Sequence, residues 1–179
     1  QVSICPYSNG FSILIYLAHK HRVSMKPTLE ESVERLRCND PDLRELSLLG
    51  HRIGDHGAKE LAYALRTNCN VVDLDLGGNK IGAGGAKVLA DVLRCNRAIE
   101  KLSLGVDAFH TGNLIGDEGA AALAEVLKEN GTLRELHLDC NGITDRGAEA
   151  LAEALRHNHV LKKLDLGAGI FSTGNNVTA

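Results

Sequence analysis

The sequence predicts a curved α/β solenoid, with a parallel β-sheet on its concave side and α-helices on its convex side. Three observations predict it. A leucine phrase, L-x-x-L-x-L, opens at Leu43, Val71, Ile99, Leu133 and Leu161, so its spacings are 28, 28, 34 and 28. A repeat of that length marks stacked supersecondary units, each covering the apolar face of the last. Within each copy, alternating apolar residues give way to apolar residues at helical spacing. The composition agrees: aromatics are 3% of the chain and Trp is absent, so a core with 44% hydrophobic residues to draw on is built from layers of Leu, Val, Ile and Ala.

The elements follow in chain order. Residues 1–27 suit a helix (Phe11, Leu14, Ile15, Ala18) as well as a strand (Phe11, Ile13, Ile15, Leu17), and are expected to cap the first repeat. The remainder, 28–179, reads as the repeat domain. Thr28-Leu-Glu-Glu31 is a capping box that opens an entry helix to about Cys38, and Asn39-Asp-Pro-Asp42 turns into the first strand.

In the first copy Leu46 and Leu48 alternate as in a half-buried strand, and Ile53 returns inward. Ala58, Leu61, Ala62 and Leu65 then line one helical face. Asp55, and in later copies Asp117 and Asp145, stand where an N-cap is expected, with Ala83 in the second copy, whose helix should be the least well capped. Asn68, Asn96, Asn130 and Asn158 are expected as left-handed helix stops. Strands stack about 4.8 Å apart and helices about twice that, so the array curves with the sheet inside.

Two copies break the period. The third carries six extra residues between Leu104 and Asn113, and F-x-T-G-N-x-[IV] occurs at Phe109 and again at Phe171, 62 residues later. Both loops leave the C-terminal end of a strand on one rim. There Phe109 and Phe171 either plug the core edge or anchor a partner. The fifth copy stops at Val177-Thr178-Ala179 without its helix. It therefore reads as a fragment of a longer array, or as an open end that self-associates.

The full phrase, L-x-x-L-x-L-x-x-N-x-I-G…G-A-x-x-L-A-x-x-L over residues 43–178, resembles the ribonuclease-inhibitor-like leucine-rich repeat. That resemblance implies a horseshoe segment in which Asn79, Asn113 and Asn141 bond backbone inside the turn, with His51 replacing the first Asn. The entry stretch from Glu31 to Leu48, E-x-x-x-x-L-R-x-N-D-P-D-L-R-E-L, is similar to the start of the leucine-rich domain of tropomodulins, which cap actin pointed ends. This implies actin as a partner, although the amino-terminal actin- and tropomyosin-binding region of tropomodulins has no counterpart here. Repeats of the same class also occur in Ran GTPase-activating proteins and in the sensor end of NOD-like receptors, which leaves a GTPase-regulatory domain or a receptor fragment as alternatives.

Function should reside on the concave face. Its outward rows are Glu45, Asp73, Lys101, Glu135, Lys163 and Ser47, Asp75, Ser103, His137, Asp165, with Asp139 on the rim. Acids outnumber bases, so the expected partner is another protein with a basic surface. A net charge of −3 and scarce aromatics argue against nucleic acid. The apolar run Phe11–Ala18 falls far short of a membrane span. The odd number of cysteines (five, with no C-x-x-C) suits reduced thiols in a cytoplasmic protein. No phosphate loop or nucleophile–base arrangement stands out, so neither catalysis nor a cofactor is expected. Asp75, His137, Asp139 and Asp165 suggest a metal site, but Asp75 and His137, two strands apart at about 10 Å, cannot share a metal, and His137 with Asp165 reads as an ion pair or a contact.

Overall fold

The structure, a computed structural model, describes residues 27–106, 112–167 and 175. The expected cap within residues 1–27 and the phenylalanines of both rim loops lie outside them. Helix α1 (Leu29–Arg37) leads into β1 (Glu45–Ser47), α2 (Gly54–Leu65), β2 (Asp73–Asp75), α3 (Ala83–Cys95) and β3 (Lys101–Ser103). Next come α4 (Gly116–Leu127), β4 (Glu135–His137), α5 (Asp145–Leu155) and β5 (Lys163–Asp165). The strands form one five-stranded parallel sheet in sequence order, and their register aligns Leu46, Leu74, Leu102, Leu136 and Leu164.

The capping box forms as read: the Glu31 N–H donates to Thr28 Oγ1 at 3.2 Å, and the Thr28 N–H donates to Glu31 Oε2 at 3.0 Å. One core layer per repeat fills the space between sheet and helices. Leu48, Leu76, Leu104 and Leu138 are fully buried, as are Ala58, Ala86 and Ala120. The alanines set the helix spacing. Gly85, Gly119 and Gly147 pack against Ala58, Ala86 and Ala120 of the preceding helix, too closely for any side chain to fit between them.

Between strand and helix the chain turns inside the core, and its polar backbone groups need partners there. Asparagines supply them. Asn113 Oδ1 accepts the N–H groups of Asn79 (2.8 Å) and Ile81 (2.9 Å), while its Nδ2 donates to the carbonyls of Leu76 (3.0 Å) and Leu104 (2.7 Å). Asn175 does the same for Asn141, Ile143, Leu138 and Leu166. Asn79 and Asn141 also donate to carbonyls of their own and the preceding turn, but Asn141 Oδ1 is buried with no partner.

The asparagines after the helices form a second ladder instead of left-handed stops. Asn96 has φ −72° and ψ 127°. Its Oδ1 accepts from Ala98 and Ile99, and its Nδ2 reaches back to the carbonyls of Leu65 and Asn68. Asn68, Asn130 and Asn158 repeat this reach to Leu36, Leu93 and Leu127.

The aspartates correct a second expectation. Asp55 and Asp117 lie inside the first turns of α2 and α4, and their carboxylates serve the next repeat. The Gly82 N–H donates to Asp55 Oδ1 at 2.6 Å, so α3 is capped despite Ala83. The Thr144 N–H and hydroxyl donate to Asp117 at 2.8 and 2.7 Å, and Gly147 adds a third bond at 3.1 Å. The physical reason is the close stacking: a side chain in one helix start reaches the orphan N–H groups of its neighbour. With Ala83 in place of an aspartate, the start of α4 instead places the Gly116 N–H on the Asn141 carbonyl at 3.0 Å.

Two measurements check these roles. Asn113→Ala strips partners from four buried backbone groups and should cost about 4 kcal/mol in urea unfolding, against about 2 kcal/mol for Asn141→Ala. Asp117 is held below the ordinary aspartate range, chiefly by the Thr144 N–H and then by its hydroxyl. Such a shift adds stability above the unfolded-state value near 3.8 that is lost as pH falls through the lower folded value. Asp117→Ala should cost about 1 kcal/mol at neutral pH and flatten that acid limb, read from urea midpoints across pH.

Candidate functional site

The sheet presents three rows of side chains to the concave side, and the rows differ in charge balance. At the strand entry, carboxylates and cations neutralise each other: Lys101 Nζ lies 2.8 Å from Asp73, and Arg134 Nε lies 3.1 Å from Glu100. The hydrogen bond that Lys101 donates to Asp73 holds its ammonium pKa above the usual value. A shallow open groove of about 370 Å³ runs here between Arg44, Asp73, Glu100 and Glu135.

The strand exit is different. Asp75 accepts from the Ser47 hydroxyl at 3.1 Å and the Gly77 N–H at 3.0 Å. Asp139 accepts the Val106 N–H at 2.8 Å, and its carboxylate lies over Gly105, where a side chain would collide with it. Asp165 accepts the Gly167 N–H at 3.0 Å. None of these three carboxylates pairs with Lys or Arg among the described residues.

His137 stands among them. Its Nδ1 is 3.8 Å from Asp165 and its Nε2 is 3.4 Å from Glu135, so the expected contact with Asp165 is present. Asp75 lies two strands away, as anticipated. Asp139 joins them from the rim: one ligand atom each from His137, Asp139 and Asp165 lies within 4.8 Å of the others. Such a set can accept a cation, whether an ammonium, a guanidinium or a metal ion.

Of the remaining expected site residues, Glu45 and Asp73 take their places in the entry row, opposite one another in the β1–β2 register. Phe109 and Phe171 lie outside the described residues. Asn113 and Asn175, four residues after each phenylalanine in the sequence, occupy equivalent ladder positions. None of the four described cysteines forms a disulfide, and no described helix is long and apolar enough to cross a membrane.

The family model for the leucine-rich repeat matches residues 39–62, 67–90, 111–124 and 129–152. Together with the sheet and its helices, this defines the chain as a leucine-rich repeat solenoid. Two solved structures are similar to it over most of their length. The structure of leiomodin-1 actin-binding site 2 superposes with a TM-score of 0.65 at 26% identity, covering 81% of this chain and 82% of that one. The tropomodulin C-terminal domain of Caenorhabditis elegans gives a TM-score of 0.67 at 18% identity, over 79% and 83%. At that identity the likeness is one of fold. No curated protein sequence matches the chain.

Burial, with Asp165 acting in the same direction, raises the Asp139 pKa above the ordinary aspartate range. The ionised form is therefore disfavoured in the fold, and stability falls as pH rises from the unfolded-state value near 3.8 through the raised folded value. Asp139→Asn should melt higher than wild type at neutral pH, with the difference closing as pH falls through that window. A pH series of thermal melts reads both effects.

Proposed function

We propose that this chain is a non-enzymatic protein-interaction module of the cytosol that associates with actin through its concave face and strand-exit rim. The observation that carries this reading is the likeness to leiomodin-1 actin-binding site 2, which spans most of both chains. The entry stretch from Glu31 to Leu48, similar to tropomodulins, supports it from the sequence side.

The proposed contact residues are Glu45, Asp73, Asp75, Glu135, His137, Asp139 and Asp165. Charge balance gives them different weights. His137, Asp139 and Asp165 form one cluster without a Lys or Arg ion pair among the described residues, and so favour a basic side chain from the partner, whereas Glu135 beside them also faces Lys101. Asp73, already satisfied by Lys101, contributes complementarity more than affinity. Asp75, Asp139 and Asp165 are held by backbone N–H groups before any partner arrives, so binding need not order them.

The test uses actin filaments with blocked barbed ends. Addition of the domain should slow subunit exchange at the pointed end. The triple variant Glu135→Ala, His137→Ala, Asp139→Ala should weaken that effect by at least tenfold, the loss expected when a buried charge contact is removed. Unchanged exchange with the wild-type domain rejects actin as the partner.

A further inference from the structure

The outer surface of the helix layer changes sign half-way along the array. Around α2 and α3, residues 50–70 and 78–98 carry seven lysines and arginines against three carboxylates. The equivalent stretches around α4 and α5, residues 112–132 and 140–160, carry seven carboxylates against three lysines and arginines. Neither half neutralises its own excess. Arg52, Lys59, Lys80 and Arg97 are exposed and form no ion pair among the described residues, and Arg66 lies over the Tyr63 ring, 5.6 Å from its centre. In the other half Glu129 and Glu149 are exposed and likewise without an ion pair among the described residues. Where the halves meet they attract: Lys87 of α3 lies 3.1 Å from Glu118 of α4.

We propose that this convex face pairs with the same face of a second copy, the basic half of each against the acidic half of the other. The argument is charge complementarity. A two-fold axis normal to the helix layer, between α3 and α4, lays α3 antiparallel on α4 of the second copy. Lys87, Asp91 and Arg94 are exposed on α3, as Glu118, Ala121 and Glu125 are on α4. Equivalent positions of the two helices are 34 residues apart, so a register centred between Lys87 and Asp91 sets Lys87 opposite Glu125 of the second copy and Arg94 opposite its Glu118. Asp91 then meets Ala121, and Gly84 meets Lys128, so no like charges are opposed on these helices. The two-fold axis repeats each pair, and the isologous contact closes at two chains. The curve of the array carries α2 and α5 away from the axis, which leaves the contact to α3 and α4. The sheet lies on the other side of the molecule and stays open to a different partner.

The test is the molar mass of the whole chain by sedimentation equilibrium at low ionic strength. With rising concentration the mass should climb reversibly from 19.2 kDa towards twice that value. Salt at about 0.5 M should return it to the monomer, because exposed charge pairs are screened. Lys87→Glu or Glu125→Lys alone opposes like charges twice, and each should weaken dimerisation on the order of tenfold. The double variant Lys87→Glu, Glu125→Lys exchanges the signs and should restore it. Lys162→Glu changes net charge equally but on the sheet side, and should leave the dimer unchanged. Circular dichroism checks the fold of each variant. A wild-type chain that stays monomeric at every concentration overturns the proposal, as does a mass that grows beyond two chains. A dimer indifferent to salt or to the single variants, not restored by the double one, or weakened equally by Lys162→Glu also overturns it.

Discussion

Everything in this fold depends on one constraint: the backbone must turn from sheet to helix inside the core, where water is absent. An unpaired buried N–H or C=O costs about as much as a lost hydrogen bond, and this chain makes such turns in every repeat. Buried asparagine amides meet the constraint, because one side chain presents both an acceptor and two donors. Asn113 and Asn175 each bind four backbone groups that lie in two successive repeats. A second row of asparagines, from Asn68 to Asn158, does the same at the other end of each helix. The leucine layers supply the driving force, at roughly 2 kcal/mol for each fully buried side chain. The asparagines fix the register in which those layers stack.

The ladder also shows that the structural period is two repeats. Asn79 and Asn141 share one bonding pattern, and Asn113 and Asn175 share another. Gly54 and Gly116 both adopt the left-handed conformation, with φ 60° and 59°, and turn their N–H groups onto the carbonyls of Asn79 and Asn141. Gly82 and Thr144 are extended at the corresponding places and take their caps from Asp55 and Asp117. Odd-to-even junctions are thus joined by an aspartate cap, and even-to-odd junctions by an asparagine accepting two N–H groups. The recurrence of F-x-T-G-N after 62 residues is the sequence trace of that alternation.

Much of this was legible in advance because leucine spacing reports burial directly. The inward positions read from period and alternation are buried in β1 to β4 and in α2 to α4, while Ala152 of α5 is exposed and Leu164 of β5 only partly buried. The capping box at Thr28 was equally plain, since both partners lie within four residues. What sequence could not assign was the partner of each polar residue. Asp55 looks like the cap of its own helix until the next repeat is set beside it, when Gly82 proves closer. Asn96 looks like a helix stop, although its amide acts on Leu65 and Asn68 of the preceding unit. In both cases the local motif is right about chemistry and wrong about address, because stacking places residues 27 to 31 positions apart in contact.

The same separation explains why the concave face is the place for recognition. Folding forces are spent on inward leucines and on the amide ladders, which leaves outward strand positions free of structural duty. At the strand entry those positions neutralise one another through Lys101 with Asp73 and Arg134 with Glu100. At the exit they do not: Asp139 and Asp165 converge on His137 without a Lys or Arg partner among the described residues. Burial and Asp165 oppose the charge on Asp139, while the fold holds its carboxylate in place through the Val106 N–H and the space over Gly105. A stack stabilised elsewhere can hold that unfavourable charge, and a cation supplied by a partner relieves it. The ladders therefore bear on recognition as well as stability, since they fix the strand register that brings these three side chains together.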